Sequence, residues 1–155
     1  MTARYAQNQD IEGAIELLAQ MHTESPHYRN VTLDTGKLAA MLATLIESPD
    51  GFFVVAEDEG EIVGVMIGCI CEYFFSSEKF ASEICLYVQK DHRGSWAALR
   101  MTCLFVEWAK ACGVPHSVAG VSAHITDDRA EDFYVRLGFS PLGKTFVKAI
   151  DHVRT

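Results

Sequence analysis

Leu86-Tyr87-Val88-Gln89-Lys90-Asp91-His92-Arg93-Gly94-Ser95-Trp96-Ala97-Ala98-Leu99 is the stretch on which the fold of this chain turns. It runs from an apolar strand end through a short polar loop into the start of an apolar helix. The first amides of a helix have no partner inside it, and the helix dipole adds partial positive charge there. Together these features bind phosphate. Gly94 permits a tight turn and a close ligand approach. Ala97 and Ala98 keep side-chain bulk low, and Arg93 adds a cation. Ser95 stands where a cap would be, but residue 98 is Ala, so no capping box closes the amides off. An ordinary strand-to-helix turn capped by Ser95 would look the same, so the loop needs support from its surroundings.

Downstream, the pattern predicts a long helix from about Trp96 to Cys112. Only Arg100, Glu107 and Lys110 are charged, near one face, so most of the helix is expected to be buried. Gly113 and Pro115 stop it. His116 to Val121 reads as a strand. Asp127 or Asp128 can cap a last helix through Leu137, closed by Gly138, and Lys144 to Ile150 reads as a final strand.

Upstream, Asp10 can cap a helix to about Thr23, with Ile11, Ala14, Ile15, Leu18 and Met21 as its apolar stripe. Asp34 can cap a second, with Leu38, Met41, Leu42, Leu45 and Ile46 on one face, ended by Ser48-Pro49-Asp50-Gly51. Strands follow at Phe52–Ala56, Ile62–Glu72 and Ala81–Val88, the first two joined by a turn at Asp58-Glu59-Gly60-Glu61. Ala3 to Ala6 can supply a short edge strand. The order is helix, helix, three strands, helix, strand, helix, strand.

The size, 155 residues of which 49% are apolar, suits one domain over residues 1–155 with one sizeable core. No apolar run approaches the ~20 residues that span a bilayer. The first residues lack the basic-then-apolar build of a signal peptide, so no membrane partner and a cytoplasmic location are expected. The formal charge of −8, from 13 basic and 21 acidic residues, disfavours non-specific nucleic-acid binding. It is compatible with an amine substrate, and equally with plain solubility. Five cysteines, an odd number without a C-x-x-C pair, argue against a disulfide framework and against zinc. Each lies in an apolar segment and reads as a buried thiol.

A second element, Arg129-Ala130-Glu131-Asp132-Phe133-Tyr134-Val135-Arg136-Leu137-Gly138-Phe139, places Ala130, Phe133 and Leu137 on a core stripe with Tyr134 beside it. A phenol with an ordinary pKa near ~10 can return a proton to a departing thiolate. A core-edge tyrosine with a satisfied hydroxyl would occupy the same position.

Val88 through Leu99 resembles the acetyl-CoA pyrophosphate loop of the GNAT acetyltransferases, Q/R-x-x-G-x-G/A. Ala130 to Phe139 resembles that family's later A-x-x-F-Y-x-x-L-G-F element, and the two stand in the family's order. The Arg93-Gly94-Ser95-x-Ala97-Ala98 form also resembles a variant associated with phage-encoded members. The resemblance implies an α/β (α+β) GNAT fold, with a mixed central sheet of about six to seven strands flanked by about four helices. It implies acetyl-CoA as cosubstrate, no metal, and a small-molecule or peptide amine as acceptor. Arg93 fills the first motif position and Ala98 the last. The amides of Gly94, Ser95, Trp96, Ala97 and Ala98 would hold the pyrophosphate, and the main chain of Leu86, Tyr87 and Val88 would pair with the pantetheine arm. Tyr134 would be the general acid at the coenzyme sulfur. Two positions depart from the pattern: Trp96 replaces the middle glycine, and Asp127 stands where many members have Asn.

The implied reaction is direct attack of a neutral amine on the thioester, whose carbonyl oxygen a strand amide polarises. Glu83, on the strand expected to carry the pantetheine contacts, is the candidate base; a solvated or ion-paired carboxylate is its alternative. Glu72, His116 and His124 are weaker candidates. His27 and Tyr28 lie in the inter-helix loop that borders the acceptor in many members. A Cys85 nucleophile has no visible His partner. Two alternatives accompany the enzyme reading: a GNAT-fold regulator or structural partner that binds acetyl-CoA without turnover, favoured by Trp96, and transfer of a longer acyl group. The apolar Tyr73-Phe74-Phe75 stretch suits a homodimer contact and equally a buried turn.

Overall fold

The computed structural model describes residues 1–120, 125 and 127–150. The side chains of Asp127 and Asp128 fall outside that description, as do His124 and the expected strand end at Val121. The chain divides into two compact units, Met1–Ile125 and Thr126–Thr155.

The first unit opens with β1 (Thr2–Tyr5), the edge strand allowed for at Ala3–Ala6, then α1 (Ile11–Glu24) and α2 (Thr35–Glu47). Asp34 caps α2 as expected, its carboxylate accepting the Lys37 amide at 2.9 Å. Asp10 does not cap α1; its carboxylate turns instead to the Gln7 amide and to Arg4.

β2 (Gly51–Asp58), β3 (Glu61–Glu72) and β4 (Lys79–Val88) form an antiparallel meander. The β2–β3 turn is built on Glu59 and Gly60, both with positive φ (51° and 87°), a backbone that matches the twist of a tight hairpin. α3 (Ala97–Ala111) follows, and β5 (Ser117–Val118) then joins β4 in parallel. The sheet order is β1-β2-β3-β4-β5.

Residues Phe52 to Ala56 are all buried because both faces of the sheet are covered. On one face Phe53, Val55, Val65, Ile67 and Tyr87 pack against Ala14, Leu17 and Leu18 of α1 and Leu42 and Leu45 of α2. On the other, Phe52, Val54, Val63 and Met66 pack against Ala97, Met101, Phe105 and Trp108 of α3. The exposed face of α3 carries Arg100, Glu107 and Lys110, the three charges that marked it in the sequence, together with Cys103. That placement corrects one expectation. Cys103 and Cys112 are exposed, while Cys69, Cys71 and Cys85 are half-buried. An apolar neighbourhood in sequence does not fix which way one helical position faces.

The second unit holds α4 (Asp127–Arg136), closed by Gly138 at φ 89°. Lys144 to Ile150, expected as a last strand, is not one. Its side chains stand exposed, and the sheet counts five strands among the described residues rather than six or seven. Strand composition is a preference for a paired, half-buried surface, and without a partner edge it produces no strand. The mixed α/β architecture, with four α-helices among the described residues, otherwise stands as expected. Phe74 and Phe75 are fully and largely exposed at the β3–β4 tip, which rules out the buried turn.

Candidate active site

β4 departs from regular pairing midway along its length. Ile67 of β3 faces Cys85, but the next residue, Gly68, faces Glu83, so Ile84 is an extra residue on β4. Such a bulge bends a strand and disrupts the ladder locally. On the other side, β5 pairs only with Ala81 and Ser82. From Glu83 to Val88, that edge of β4 has no partner strand among the described residues, and apart from the Val88 carbonyl, which accepts from the Arg93 side chain, it can present main chain to an extended ligand. Leu86, Tyr87 and Val88 lie in this stretch of β4.

The strand leads into a single 3₁₀ turn, Lys90–His92, and then to Arg93 and Gly94. Gly94 has φ 83°, a left-handed backbone that glycine adopts freely, and an added Cβ would meet nothing within 4 Å. Glycine is needed here for its dihedral, not for space. Trp96, at the position where the family pattern has glycine, has φ −73° and ψ −3°. Any residue tolerates that conformation, and the indole stands in solvent, 65% exposed. The departure from the pattern therefore strains nothing in the loop.

The helix starts one residue later than expected. Trp96 is the cap residue and offers no side-chain acceptor, while the Ser95 hydroxyl accepts the Ala97 amide at 3.3 Å. The Ser95 amide donates to His92 O at 3.3 Å. The Gly94, Trp96 and Ala98 amides make no such bond among the described residues. Three such amides, on exposed or half-exposed residues, thus gather at the positive end of a 15-residue helix. Ala97 is fully buried and belongs to the core under α3.

Arg93 is not directed at this site. Its guanidinium donates to Glu24 Oε2 at 2.7 Å and to Val88 O at 3.0 Å, and lies 5.4 Å from the Tyr87 ring centre. The Tyr87 hydroxyl donates to the other Glu24 oxygen at 2.6 Å. Burial opposes ionisation of Glu24, but the bonds from Tyr87 and Arg93 outweigh it and hold its carboxyl below the usual range. Burial, and then the bond to that carboxylate, push the Tyr87 phenol well above its ordinary value. The sequence reading missed Glu24. It lies 69 residues from Arg93 and 63 from Tyr87, and no local pattern singles it out.

Glu83 is half-buried at the bulge and engaged in interactions of its own. Its charge reinforces the effect of burial on Cys85, whose thiol is pushed up to about 12. A neutral thiol is a poor nucleophile, which weakens the covalent alternative. His116 is exposed with Nδ1 3.4 Å from the Tyr73 hydroxyl, and Glu72 lies exposed at the end of β3. The His27 and Tyr28 rings lie 5.3 Å apart, tilted by 52°, at the start of the loop after α1. Within the second unit, Tyr134 is buried on α4, its ring 5.3 Å from that of Phe133 and 5.4 Å from that of Phe139. No group of three His, Cys, Asp or Glu side chains among the described residues is placed to hold a metal ion.

The family model for GNAT acetyltransferases matches residues 12–139, spanning α1 to just beyond α4. The chain belongs to the acetyltransferase (GNAT) family. Solved structures carry the same fold. An aminoglycoside 6'-N-acetyltransferase from Acinetobacter haemolyticus superposes with TM-score 0.73 at 17% identity, over 97% of this chain and all of that one. Glucosamine-6-phosphate N-acetyltransferase from Arabidopsis thaliana gives 0.74 at 19% identity, over 97% and 98%. An AAC(6')-Iy enzyme, solved with the bisubstrate analogue CoA-S-monomethyl-acetylneamine, gives 0.77 at 13% identity, over 97% of each chain. No curated protein sequence matches the chain significantly. Among the described residues no helix is long and apolar enough to cross a membrane.

Proposed function

We propose that this GNAT chain is a single-domain cytoplasmic enzyme that moves the acetyl group of acetyl-CoA directly to a primary amine. The observation that carries the reading is the run of unpaired β4 edge into the loop whose Gly94, Trp96 and Ala98 amides are open. Pantetheine amides suit the first and a pyrophosphate the second. Acetyl-CoA supplies an activated thioester, and the chain's own groups must bind it, polarise its carbonyl and handle two protons. In this reading Glu83 draws the proton from the incoming amine, directly or through water, and Tyr134 returns one to the sulfur. Leu86, Tyr87 and Val88 hold the pantetheine arm through their main chain, and Gly94 to Ala98 hold the phosphates. A small-molecule or peptide amine is the acceptor. The aminoglycoside and amino-sugar enzymes of the same fold support a small amine first. Exposed Phe74 and Phe75 suit a homodimer contact.

The test is calorimetric titration with acetyl-CoA, followed by release of free CoA thiol across an amine panel. Saturable binding with amine-dependent thiol release is the expected result. No binding at millimolar coenzyme sinks the proposal. The alternative is an acetyl-CoA-binding regulator, which binding without thiol release across amines and acyl chain lengths would establish instead; Trp96, which suggests it in the sequence, leaves the loop unstrained.

A further inference from the structure

Arg93 is the one cation in the loop after Val88 that the family pattern names, yet its side chain faces back into the protein. Both Glu24 oxygens are occupied, one by Tyr87 at 2.6 Å and the other by Arg93 at 2.7 Å, and Arg93 Nε also holds the last carbonyl of β4 at 3.0 Å. Glu24 is the last residue of α1, where the helix dipole disfavours a carboxylate. Its presence there is not explained by α1 itself, but it is explained by the two donors it receives from β4 and the loop. With about a quarter of each side chain exposed, the pair is screened less than a surface ion pair. Arg93 immediately precedes Gly94, whose left-handed backbone turns the chain toward α3. Whatever fixes Arg93 fixes the entry to that turn.

We propose that Glu24 is a positioning residue for the coenzyme loop: it holds Arg93 against β4, and so sets the turn at Gly94 that leaves the Gly94, Trp96 and Ala98 amides facing a ligand. The proposal rests on the acetyl-CoA reading above. It gives α1 a part in coenzyme binding without any contact to the coenzyme. The next residue, Ser25, is fully buried, and its hydroxyl accepts the Tyr28 amide at 3.1 Å, so the same anchor also fixes the start of the loop carrying His27 and Tyr28. Phosphate is then bound by the amides, and Arg93 supplies order rather than charge.

The test is a double-mutant cycle on acetyl-CoA affinity, measured by calorimetry on the full chain. Glu24→Gln keeps the shape and removes the charge. It is expected to weaken acetyl-CoA binding about tenfold, the scale of one lost charged hydrogen bond. Arg93→Gln is expected to do the same, and the double variant to be no weaker than either single one, because both act through one contact. Fluorine NMR with 5-fluorotryptophan gives one line for each of the chain's two tryptophans. Glu24→Gln should move the Trp96 line and leave that of Trp108, buried under the sheet, in place.

Affinity within twofold of wild type, or tighter because Arg93 is freed for phosphate, overturns the proposal. So do multiplicative effects in the double variant, or equal movement of both tryptophan lines, which would mark general destabilisation. If the wild-type chain itself binds no acetyl-CoA, the coenzyme reading falls and this inference with it, an outcome distinct from wild-type binding with indifferent variants.

Discussion

Gly68 on β3 sits opposite Glu83 at the point where β4 carries its extra residue. The two backbones approach closely here. A Cβ built on Gly68 would lie 2.8 Å from Ser82 O and 3.0 Å from Phe105 Cε2, one a backbone atom and the other a core ring. Neither can retreat freely, because Ser82 is held in the pairing to both neighbouring strands and Phe105 is fully buried.

Gly68→Ala should therefore cost about 2 kcal/mol of stability and lower the melting temperature by about 5 °C. It should also reduce turnover, since the strain falls beside Glu83. Calorimetric melting checks the first effect and thiol release the second. A melting temperature equal to wild type would mean the bulge has room that the geometry denies.

Arg4 and Asp10 make a two-pronged contact, with guanidinium nitrogens 2.7 and 2.9 Å from the two carboxylate oxygens. The Gln7 amide adds a third bond at 2.7 Å, and Asp10 is almost fully buried. The bond from Arg4 is the largest reason that the Asp10 carboxyl is held below its usual range. A carboxylate held low in the folded state contributes stability in full above its unfolded pKa of about 4, and loses it as pH falls through the folded value. Asp10→Asn should cost about 2 kcal/mol at pH 7, with the difference from wild type shrinking once the pH drops below about 4. Urea unfolding at a series of pH values measures it. A difference that does not change with pH would show that the contact is steric rather than ionic.

Much of the fold is legible because its signals are local. Asp34 and Lys37 are three residues apart, and their cap can be read directly. The Glu59-Gly60 turn and the stops at Gly113 and Gly138 are likewise written in one or two residues. The loop could be placed, but its detail could not. Whether residue 95 or 96 ends up as the cap depends on how Ala97 seats in the core, not on Ser95's own preference. Lys144 to Ile150 has strand composition, but a strand exists only by pairing, and pairing is not local. Glu24 was invisible for the same reason: its meaning lies in Tyr87 and Arg93, brought to it by the fold.

Cys85 offers a direct check on the reaction route. Burial, helped by the Glu83 charge, pushes its thiol up to about 12, and its sulfur lies 3.3 Å from that of Met21. At pH 8 iodoacetamide should label exposed Cys103 while sparing Cys85. Cys85→Ala should keep turnover within about threefold of wild type. Preferential labelling of Cys85, or loss of turnover in the variant, would restore the covalent route through an acyl-cysteine.

Tyr134 carries the sharpest catalytic test. Its ring, on α4, packs edge-on to those of Phe133 and Phe139, so Tyr134→Phe preserves that packing and removes one oxygen. If the hydroxyl returns a proton to the departing thiolate, the variant should bind acetyl-CoA within about twofold of wild type while turnover falls about a hundredfold. The loss should be smaller with an acyl donor whose leaving thiol is more acidic, because such a thiolate needs less help. A variant that turns over normally removes Tyr134 from the chemistry and leaves it as a packing residue. A variant that loses affinity and turnover in equal proportion assigns the hydroxyl to binding instead.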